Sequence, residues 1–424
     1  MRALCYSAIV IMLLMFAAPL SAFAQDDAGP AIVENSSGNF FGIGARGLGM
    51  GGAQIAAGMD GTAIVYNPAV LARIRRIEIL AGLSHEKYSN DENIYPNGVT
   101  VDPTLDGVSR SYTRLNTLNI AVPAPTYRGS AVVGFGINRV TSFDHAFQLA
   151  SILIDGDSGG SRDRGTELET GSLYLYSAGG AIDISPRVSL GLSLNLYNGK
   201  DNYTWDYQRM AVDGEKYTQF VDADYTGVSA KVGMIASPNP NTSIGVVVET
   251  PIKFQIDGVT SDLPYSYKYE LKHPFTFGGG VSTRFRGVQF AADLQYTDWT
   301  QMEYTEHEFY ALENRLIDRY YRDVVRLNLG AEYLVQQIGA KVRVGYMYDP
   351  LPYAKFLINN DRDFVTFGVG FLIDRVMTLD IAFVHGSYEY AQPAPDSDGY
   401  QDISSSLFEK YTLSRIYVTT AFRL

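Results

Sequence analysis

The stretch VSLGLSLNL, residues 188–196, alternates a large apolar side chain with a small or polar one at every step. Four later stretches repeat this pattern: residues 288–296, 325–333, 365–371 and 377–383. Because successive side chains of a strand point to opposite faces, a period of two predicts strands with one apolar and one polar face. Such strands fit a sandwich that buries the apolar face, or a membrane barrel that turns it towards lipid.

The composition narrows the class of protein. The chain has 424 residues, of which 46% are apolar and 12% aromatic, and its formal net charge is −12. This aromatic content excludes a disordered chain. An acidic protein lacks the basic face that neutralises phosphates, so we expect no nucleic-acid partner. The mean hydropathy of −0.05 is far too low for a helical membrane protein, whereas a barrel with alternating faces averages to such a value.

The first residues predict a targeting segment. Arg2 precedes an apolar run over residues 8–20, and the small-x-small pattern of a cleavage site follows at residues 22–24. We therefore expect residues 1–24 to be a signal peptide. The single cysteine, Cys5, lies inside it, so the mature chain is expected to have no disulfide and no thiol ligand. After residue 24 no apolar run reaches the roughly 18 residues of a membrane helix, so any membrane contact would be made by strands.

The spacing of the strands favours the barrel. Six short breaks fall at residues 126–129, 185–187, 237–241, 284–287, 336–339 and 373–375. Seven long polar segments alternate with them, at residues 89–111, 143–166, 198–217, 251–263, 299–319, 349–360 and 387–408. Short turns on one side and long loops on the other are typical of bacterial outer-membrane barrels. We predict an all-β fold, a 14-stranded antiparallel transmembrane β-barrel over residues 77–424, with both barrel termini periplasmic. The final residues Phe422 and Leu424 resemble the C-terminal assembly signal of such barrels.

Residues 25–76, before the first strand, have a different character. Glycines crowd residues 42–61, and a short helical piece after Asp60 should end before Asn67 and Pro68, since proline disfavours helix at the preceding residue. A glycine-dense segment suits a confined space in which backbones approach closely. We predict that residues 25–76 form a hatch, or plug, inside the barrel lumen.

The stretch GARGLGMGGA at residues 44–53, followed by YNPA at residues 66–69, resembles the N-terminal hatch of the FadL/TodX-type outer-membrane transport family. PorV-like secretion proteins have a similar opening. The resemblance implies a plugged barrel that captures hydrophobic molecules near its outer loops, passes them to a buried apolar pocket and releases them through a lateral opening beside a kinked third strand. Members move long-chain fatty acids or aromatic hydrocarbons, and the sequence does not choose between these.

Three sets of residues are candidates for the site. Apolar hatch side chains form either a ligand pocket or the hatch's own core: Phe40, Phe41, Ile43, Leu48 and Met50. Asn67 and Pro68 either anchor and gate the hatch or only form a turn. In the third strand the kink candidates are Gly134, Gly136 and Asn138, because glycine in a strand often marks a bulge; alternatively they are small lumen-facing residues.

The remaining polar residues do not predict an enzyme. Charged residues fall on the face away from lipid and are expected to form lumenal ion pairs: Asp293, Arg326, Glu332, Lys341, Arg343, Asp380, Arg415 and Arg423. The five histidines show no HExxH motif, triad spacing or metal-binding pair. We expect no catalytic residues, no metal and no cofactor.

The sequence thus predicts a monomeric channel in the bacterial outer membrane for passive uptake of hydrophobic small molecules. Its partners would be outer-membrane lipid, lipopolysaccharide and the hydrophobic ligand. A PorV-like barrel that serves protein secretion or surface attachment is the alternative, and a barrel enzyme is a third. A continuous apolar pocket between hatch and loops favours uptake, whereas an exposed docking surface without a pocket favours secretion.

Overall fold

The computed structural model describes residues 42–94, 108–153, 161–208, 216–261, 265–305, 310–355, 358–373, 376–395 and 401–424. The predicted signal peptide and the ligand candidates Phe40 and Phe41 lie outside these residues. Among the described residues, no helix has the length and apolar character needed to cross a membrane.

One antiparallel sheet contains eighteen strand segments among the described residues. They are β1 (Glu78–Ile94), β2 (Val108–Ala124), β3 (Ala131–Ser142), β4 (His145–Leu153), β5 (Ser161–Ser185), β6 (Val188–Gln208), β7 (Lys216–Asn239), β8 (Thr242–Glu249), β9 (Ile252–Thr260), β10 (Tyr267–His273), β11 (Thr276–Phe285), β12 (Val288–Asp298), β13 (Glu303–Tyr304), β14 (Asp323–Val335), β15 (Ala340–Asp349), β16 (Ile358–Ile373), β17 (Met377–Pro395) and β18 (Gln401–Arg423).

The sheet closes on itself. Strand β1 pairs with β2 on one side and with β18 on the other, from Glu78 opposite Arg423 to Ile94 opposite Leu407. Four barrel strands are interrupted and each contributes two segments, namely β3 with β4, β8 with β9, β10 with β11, and β12 with β13. The eighteen segments therefore make fourteen barrel strands, as predicted. Closure leaves no free sheet edge at either terminus.

The two faces of the wall decide between barrel and sandwich. On β6, Leu192 and Leu194 are 48% and 61% exposed, whereas Ser193 and Asn195 between and beside them are buried. A water-soluble sandwich would bury the leucines against a second sheet. An apolar exterior around a polar interior is the arrangement of a membrane barrel, which confirms the predicted fold.

Five of the six predicted short breaks coincide with turns between consecutive barrel strands, and the sixth, at residues 373–375, falls between β16 and β17 and lies partly outside the described residues. The predicted long loops are less extensive than expected, because strands continue into them. Segment β4 and the first residues of β5 occupy much of the predicted loop at residues 143–166, and β7 begins at Lys216. Backbone pairing can extend a hairpin beyond the apolar band even where the side chains are polar. A helix, Ala311–Tyr320, lies in another of these segments.

Residues 42–74, which we call the hatch, contain α1 (Ala45–Gly49), α2 (Ala63–Tyr66) and a 3₁₀ helix (Pro68–Arg73). Helix α1 packs against β16 and β17, whereas the 3₁₀ helix packs against β5, β6 and β7. The segment therefore reaches both sides of the lumen. Almost all of its residues are buried, Met59 being exposed.

Charged and polar side chains join the hatch to the wall. Asp293 accepts a hydrogen bond from the backbone N–H of Ile55 at 2.8 Å, and Arg46 lies 3.5 Å from Glu332. Glu332 also binds Arg343 at 2.8 Å, and Arg343 binds Asp380 at 2.6 Å. Ion pairs predicted from the sequence are therefore present, and those of Glu332, Arg343 and Asp380 connect the hatch with β14, β15 and β17, whereas Asp293 holds the hatch through a backbone hydrogen bond.

Glycines in the wall let the hatch backbone come close. A Cβ atom at Gly233 would collide with the amide oxygen of Asn67, and one at Gly191 would collide with the backbone of Pro68 and Ala69. Any larger residue at these positions would push this part of the hatch away from the wall. The hatch can therefore pack against the wall only because glycines at these positions have no side chains.

The closed barrel predicts resistance to detergent. Every strand is paired with two neighbours, so unfolding must break many backbone hydrogen bonds together. On a denaturing gel, the unboiled protein should migrate differently from the boiled protein. Identical migration of the two samples, together with a soluble monomer in the periplasm, would contradict the barrel.

The wall glycines predict a leak when one is replaced. Gly233→Val should displace Asn67 and loosen the hatch, so cells that carry it should become more sensitive to large hydrophilic antibiotics. Gly279→Val is the matched control, because a Cβ at Gly279 meets no atom within 4 Å. Both variants should keep heat-modifiable mobility. Equal antibiotic sensitivity in the two variants would show that the contact with Gly233 does not hold the hatch.

Candidate ligand-binding site

The third barrel strand separates from β2 halfway along its length, while it stays paired with β5. In β3, Val133 and Phe135 are exposed to the outside and their neighbours are buried, but from Asn138 to Ser142 every residue is buried. Loss of the alternation means that both faces of the strand are covered, as they would be inside the lumen. The register with β5 shifts between Arg139 and Thr141, and the strand is interrupted between β3 and β4.

The bend opens the hydrogen-bond ladder between β2 and β3. Pairing of these strands ends at Thr117 opposite Asn138, whereas β2 stays paired with β1 back to Val108. The wall therefore has a gap where the resemblance implies a lateral opening. At this gap Asn116 binds the hatch, since its side chain donates to the carbonyl oxygen of Gly42 and accepts from the N–H of Gly44, each at 3.0 Å.

A buried arginine holds the bent strand in place. Arg139 is fully buried and donates to Glu86 at 3.1 Å, to Asp144 at 2.6 Å and to Ser172 at 2.7 Å. Arg114 also binds Asp144 from β2. Burying charges is unfavourable unless they are paired and hydrogen-bonded, and here each has an opposite charge in contact. These contacts join the bend to β1, β2 and β5.

The kink is not at the predicted glycines. Gly134 and Gly136 lie in the regular ladder, and among the three candidates only Asn138 adjoins the bend. A Cβ at Gly134 would lie 3.2 Å from Leu71 of the hatch, and one at Gly136 would collide with Asn119. These glycines make room for neighbouring side chains, which was the alternative interpretation. The bend follows from the contacts of Arg139.

A cavity of about 180 Å³ lies between the hatch, the bent strand and the wall. The hatch contributes Val65 and Tyr66, and the bent strand contributes Val140 and Thr141. The remaining lining comes from strands around the barrel and from a short 3₁₀ helix (Trp299–Gln301), and it includes Leu173, Leu175, Tyr197, Val247, Phe254, His273 and Trp299. The cavity is thus enclosed by the hatch and the barrel wall, next to the bent strand.

One side of the cavity is aromatic. The ring of Phe254 meets His273 edge to face with 4.8 Å between centroids, and His273 meets Trp299 in the same way at 5.1 Å. Tyr197 adds a further edge contact to Phe254 at 5.5 Å. Edge-to-face packing fixes the rings against one another, so they present a defined apolar surface to a ligand.

The charged groups of the cavity are paired. Lys231 lies 3.0 Å from Glu249 and also donates to the carbonyl oxygen of Val65 at 2.7 Å. Arg326 lies 2.6 Å from Asp349. Each cation therefore has a carboxylate in contact, and a charged ligand would have to compete with that carboxylate.

Tyr66 keeps a neutral hydroxyl at the hatch side of the cavity. The hydroxyl donates to the carbonyl oxygen of Ile43 at 2.9 Å and lies 3.2 Å from the N–H of the same residue. Burial raises the pKa of Tyr66 well above its ordinary value. Its ring is therefore fixed, and its polar atom is turned to the hatch backbone.

The predicted hatch residues lie elsewhere in the hatch. Ile43, Leu48 and Met50 are fully buried, and none of them lines this cavity. Leu48 packs in a cluster with residues of β15 to β18, and Met50 packs with alanines of the hatch and of β12. That these three residues contact a ligand stays a prediction. Val65 and Tyr66 were missed because they follow no pattern; their position just before Asn67 was the available signal.

Asn67 and Pro68 join the hatch to the wall directly beside the cavity. The Asn67 amide donates to the carbonyl oxygens of Ile55 at 2.8 Å and Met234 at 3.3 Å, and its oxygen accepts from the N–H of Ala69 at 3.1 Å. Pro68 begins the 3₁₀ helix, where its missing N–H leaves no bond unmade. These contacts suit the predicted anchor. A gating role stays a prediction.

Solved structures with similar folds come from bacterial transporters. A FadL homologue of Pseudomonas aeruginosa has a TM-score of 0.63 and 13% identity, over 91% of this chain and all of that one. The toluene transporter TodX of P. putida has a TM-score of 0.58 and 14% identity, over 91% and 99%. The CymD monoaromatic hydrocarbon channel has a TM-score of 0.55 and 14% identity, over 91% and 98%. At these identities the likeness shows the fold.

The family assignment comes from the sequence over nearly the whole chain. No curated protein sequence matches significantly. Residues 34–422 match the family described as outer membrane protein transport protein (OMPP1/FadL/TodX). The family resemblance noted in the hatch thus extends through all fourteen barrel strands. The chain belongs to this OMPP1/FadL/TodX family of outer-membrane transport channels.

Proposed function

We propose that this channel passively takes up compact, uncharged hydrophobic molecules, of the size of one aromatic ring, in preference to long-chain fatty acids. The observation that carries the proposal is the aromatic cavity between hatch and bent strand. A hydrophobic solute crosses neither a charged lipopolysaccharide leaflet nor a water-filled pore easily. An apolar path through the wall lowers both barriers, and the preference of the solute for hydrocarbon supplies the direction.

The size of the cavity supports a compact ligand. A protein cavity of about 150 Å³ lined by apolar side chains stays dry and binds benzene. The cavity here, at about 180 Å³, is of the same size class. A long-chain fatty acid would need more space than this, and its entry would require the hatch or the bent strand to move.

The charges around the cavity support an uncharged ligand. Lys231 and Arg326 are the cations in its lining, and Glu249 and Asp349 already neutralise them. A fatty-acid carboxylate would have to compete with Glu249 for Lys231, or for Arg326 with Asp349, which also binds Arg362 at 3.1 Å, and bringing a further carboxylate into this buried site is unfavourable. An uncharged hydrocarbon does not compete with either carboxylate. In keeping with this, two of the structurally similar proteins are described as a toluene transporter and a monoaromatic hydrocarbon channel.

The bent strand supports a sideways exit. Val140 lines the cavity, and the pairing of the same strand with β2 ends at Thr117. A ligand in the cavity therefore lies beside the gap in the wall, and movement through the gap would bring it to the bilayer without crossing water. Glu78 and Arg423 pair at the end of the barrel with the short turns, so we place both barrel termini in the periplasm.

Filling the cavity should stop uptake. In Leu175→Trp, the indole would take the space of the ligand, and burial of an apolar ring is worth roughly 1.5–3 kcal/mol. The initial rate of uptake of radiolabelled toluene by intact cells, at low external concentration, should fall by about tenfold or more. Leu194→Trp is the matched control, because Leu194 faces outward on the neighbouring strand.

Both variants should reach the membrane with heat-modifiable mobility, which separates loss of the cavity from loss of assembly. Uptake of radiolabelled palmitate should stay near the level of cells without the channel. Palmitate uptake without toluene uptake would transfer the proposal to fatty acids. Uptake of neither compound by the wild type would favour the secretion-accessory alternative.

A further inference from the structure

A second cluster of functional groups lies just beyond the bend, apart from the cavity. His145 is the first residue of β4, and Glu167 and Glu169 face it from β5. The Nδ1 atom of His145 lies 3.1 Å from a carboxylate oxygen of Glu167 and 3.9 Å from one of Glu169. One ligand atom from each residue fits within 4.8 Å of the other two. This grouping could not be predicted from the sequence, because the three residues show no known ligand spacing.

The carboxyl group of Glu167 is unusual because it is buried. The residue is 1% exposed, and both carboxylate oxygens are buried without a hydrogen bond. Among the described residues, its one ion-pair partner within 4.0 Å is His145. Glu169 lies close by and contacts the carboxyl group of Asp201, so the surroundings add negative charge. A buried carboxylate in such surroundings is strongly unfavourable unless a cation lies against it.

The orientation of His145 suits a metal ligand. Its Nε2 atom lies 3.1 Å from the hydroxyl oxygen of Tyr411, and Tyr88 packs against the ring edge at 5.5 Å. When Nε2 donates to Tyr411, the lone pair of Nδ1 points at the two carboxylates. Metal-bound histidines generally donate their second N–H to such a neighbour, which fixes the tautomer and the ring.

We propose that His145, Glu167 and Glu169 bind a divalent transition-metal ion, with Zn²⁺ the best match. Ligand atoms about 2.0–2.2 Å from a tetrahedral zinc lie roughly 3.3–3.6 Å apart, between the two separations found here. Imidazole favours zinc over magnesium and calcium, which prefer oxygen ligands alone. The three residues leave the fourth position to water. The ion would neutralise Glu167 and tie the bent strand to the wall immediately after the kink.

The test uses the purified full-length protein in detergent, stripped with a chelator and titrated with Zn²⁺ in competition with a chromophoric chelator. The wild type should bind one Zn²⁺ per chain. Glu167→Gln, which keeps the shape and removes the charge, should weaken binding by more than about tenfold, and Tyr411→Phe by about tenfold, as expected for a partner behind the ligand. The controls His85→Gln and Glu303→Gln should bind as the wild type does, because His85 is exposed on β1 and Glu303 pairs with Lys272.

The competing explanation is that His145 is protonated and forms an ion pair with Glu167 without metal. In that case the wild type binds no more Zn²⁺ than Glu167→Gln, which would overturn the proposal. Equal binding by His145→Gln and His85→Gln would overturn it too. If Glu167→Gln fails the heat-modifiability test, X-ray absorption of the zinc-loaded wild type decides, since one nitrogen and two carboxylates are expected and oxygen ligands alone would contradict the site. Hydrocarbon uptake is measured separately and can fail or succeed independently.

Discussion

The close contact between the hatch and the barrel wall is the constraint on which the rest of the structure depends. A segment of mostly small residues packs inside the lumen, and its backbone can approach the wall only where the wall lacks side chains. Gly191 and Gly233 make this room beside Asn67 and Pro68, and Gly345 makes it for the backbone at Gly51 on the other side. Once the hatch is fixed at both sides, its Val65 and Tyr66 become a rigid wall of the cavity.

The bent third strand is the second element that this fixed hatch needs. Its inward half lines the cavity together with the hatch, and its departure from β2 interrupts the hydrogen-bond ladder of the barrel wall. A strand inside a barrel normally pairs on both sides because its backbone groups need partners, so losing β2 on one side while keeping β5 on the other must be compensated. Arg139, paired with Glu86 and Asp144, supplies that compensation through buried ion pairs. In this protein the opening and the cavity are therefore consequences of one bend.

Much of the architecture could be predicted from local sequence. The period of two, the alternation of short and long connections and the end of the chain indicate a barrel, because each of these is fixed by strand geometry and the thickness of a bilayer. The glycines of the hatch likewise report close packing. The position of the bend within the sheet was harder to predict. The bend lies at Arg139 rather than at Gly134, since it depends on partners that are distant in the sequence.

Local sequence patterns could not predict the cavity or the histidine cluster, for the same reason. Phe254, Trp299 and Tyr66 line one cavity only because the hatch lies inside the closed barrel. His145 lies in the predicted loop at residues 143–166 and Glu167 directly follows that loop; the register of β4 with β5 brings the two residues together. Residue type alone could not reveal which polar residues would be buried side by side.

The most direct test of the account is a crystal structure of the protein exposed to bromobenzene, with the bromine located by its anomalous scattering. Bromobenzene has the size and the lack of charge that the cavity requires, and its bromine identifies the ligand without ambiguity. The account predicts a bromine peak inside the barrel, among Tyr66, Phe254 and Trp299. A well-ordered cavity without a peak, with bromine bound only on the outer wall of the barrel, would contradict it.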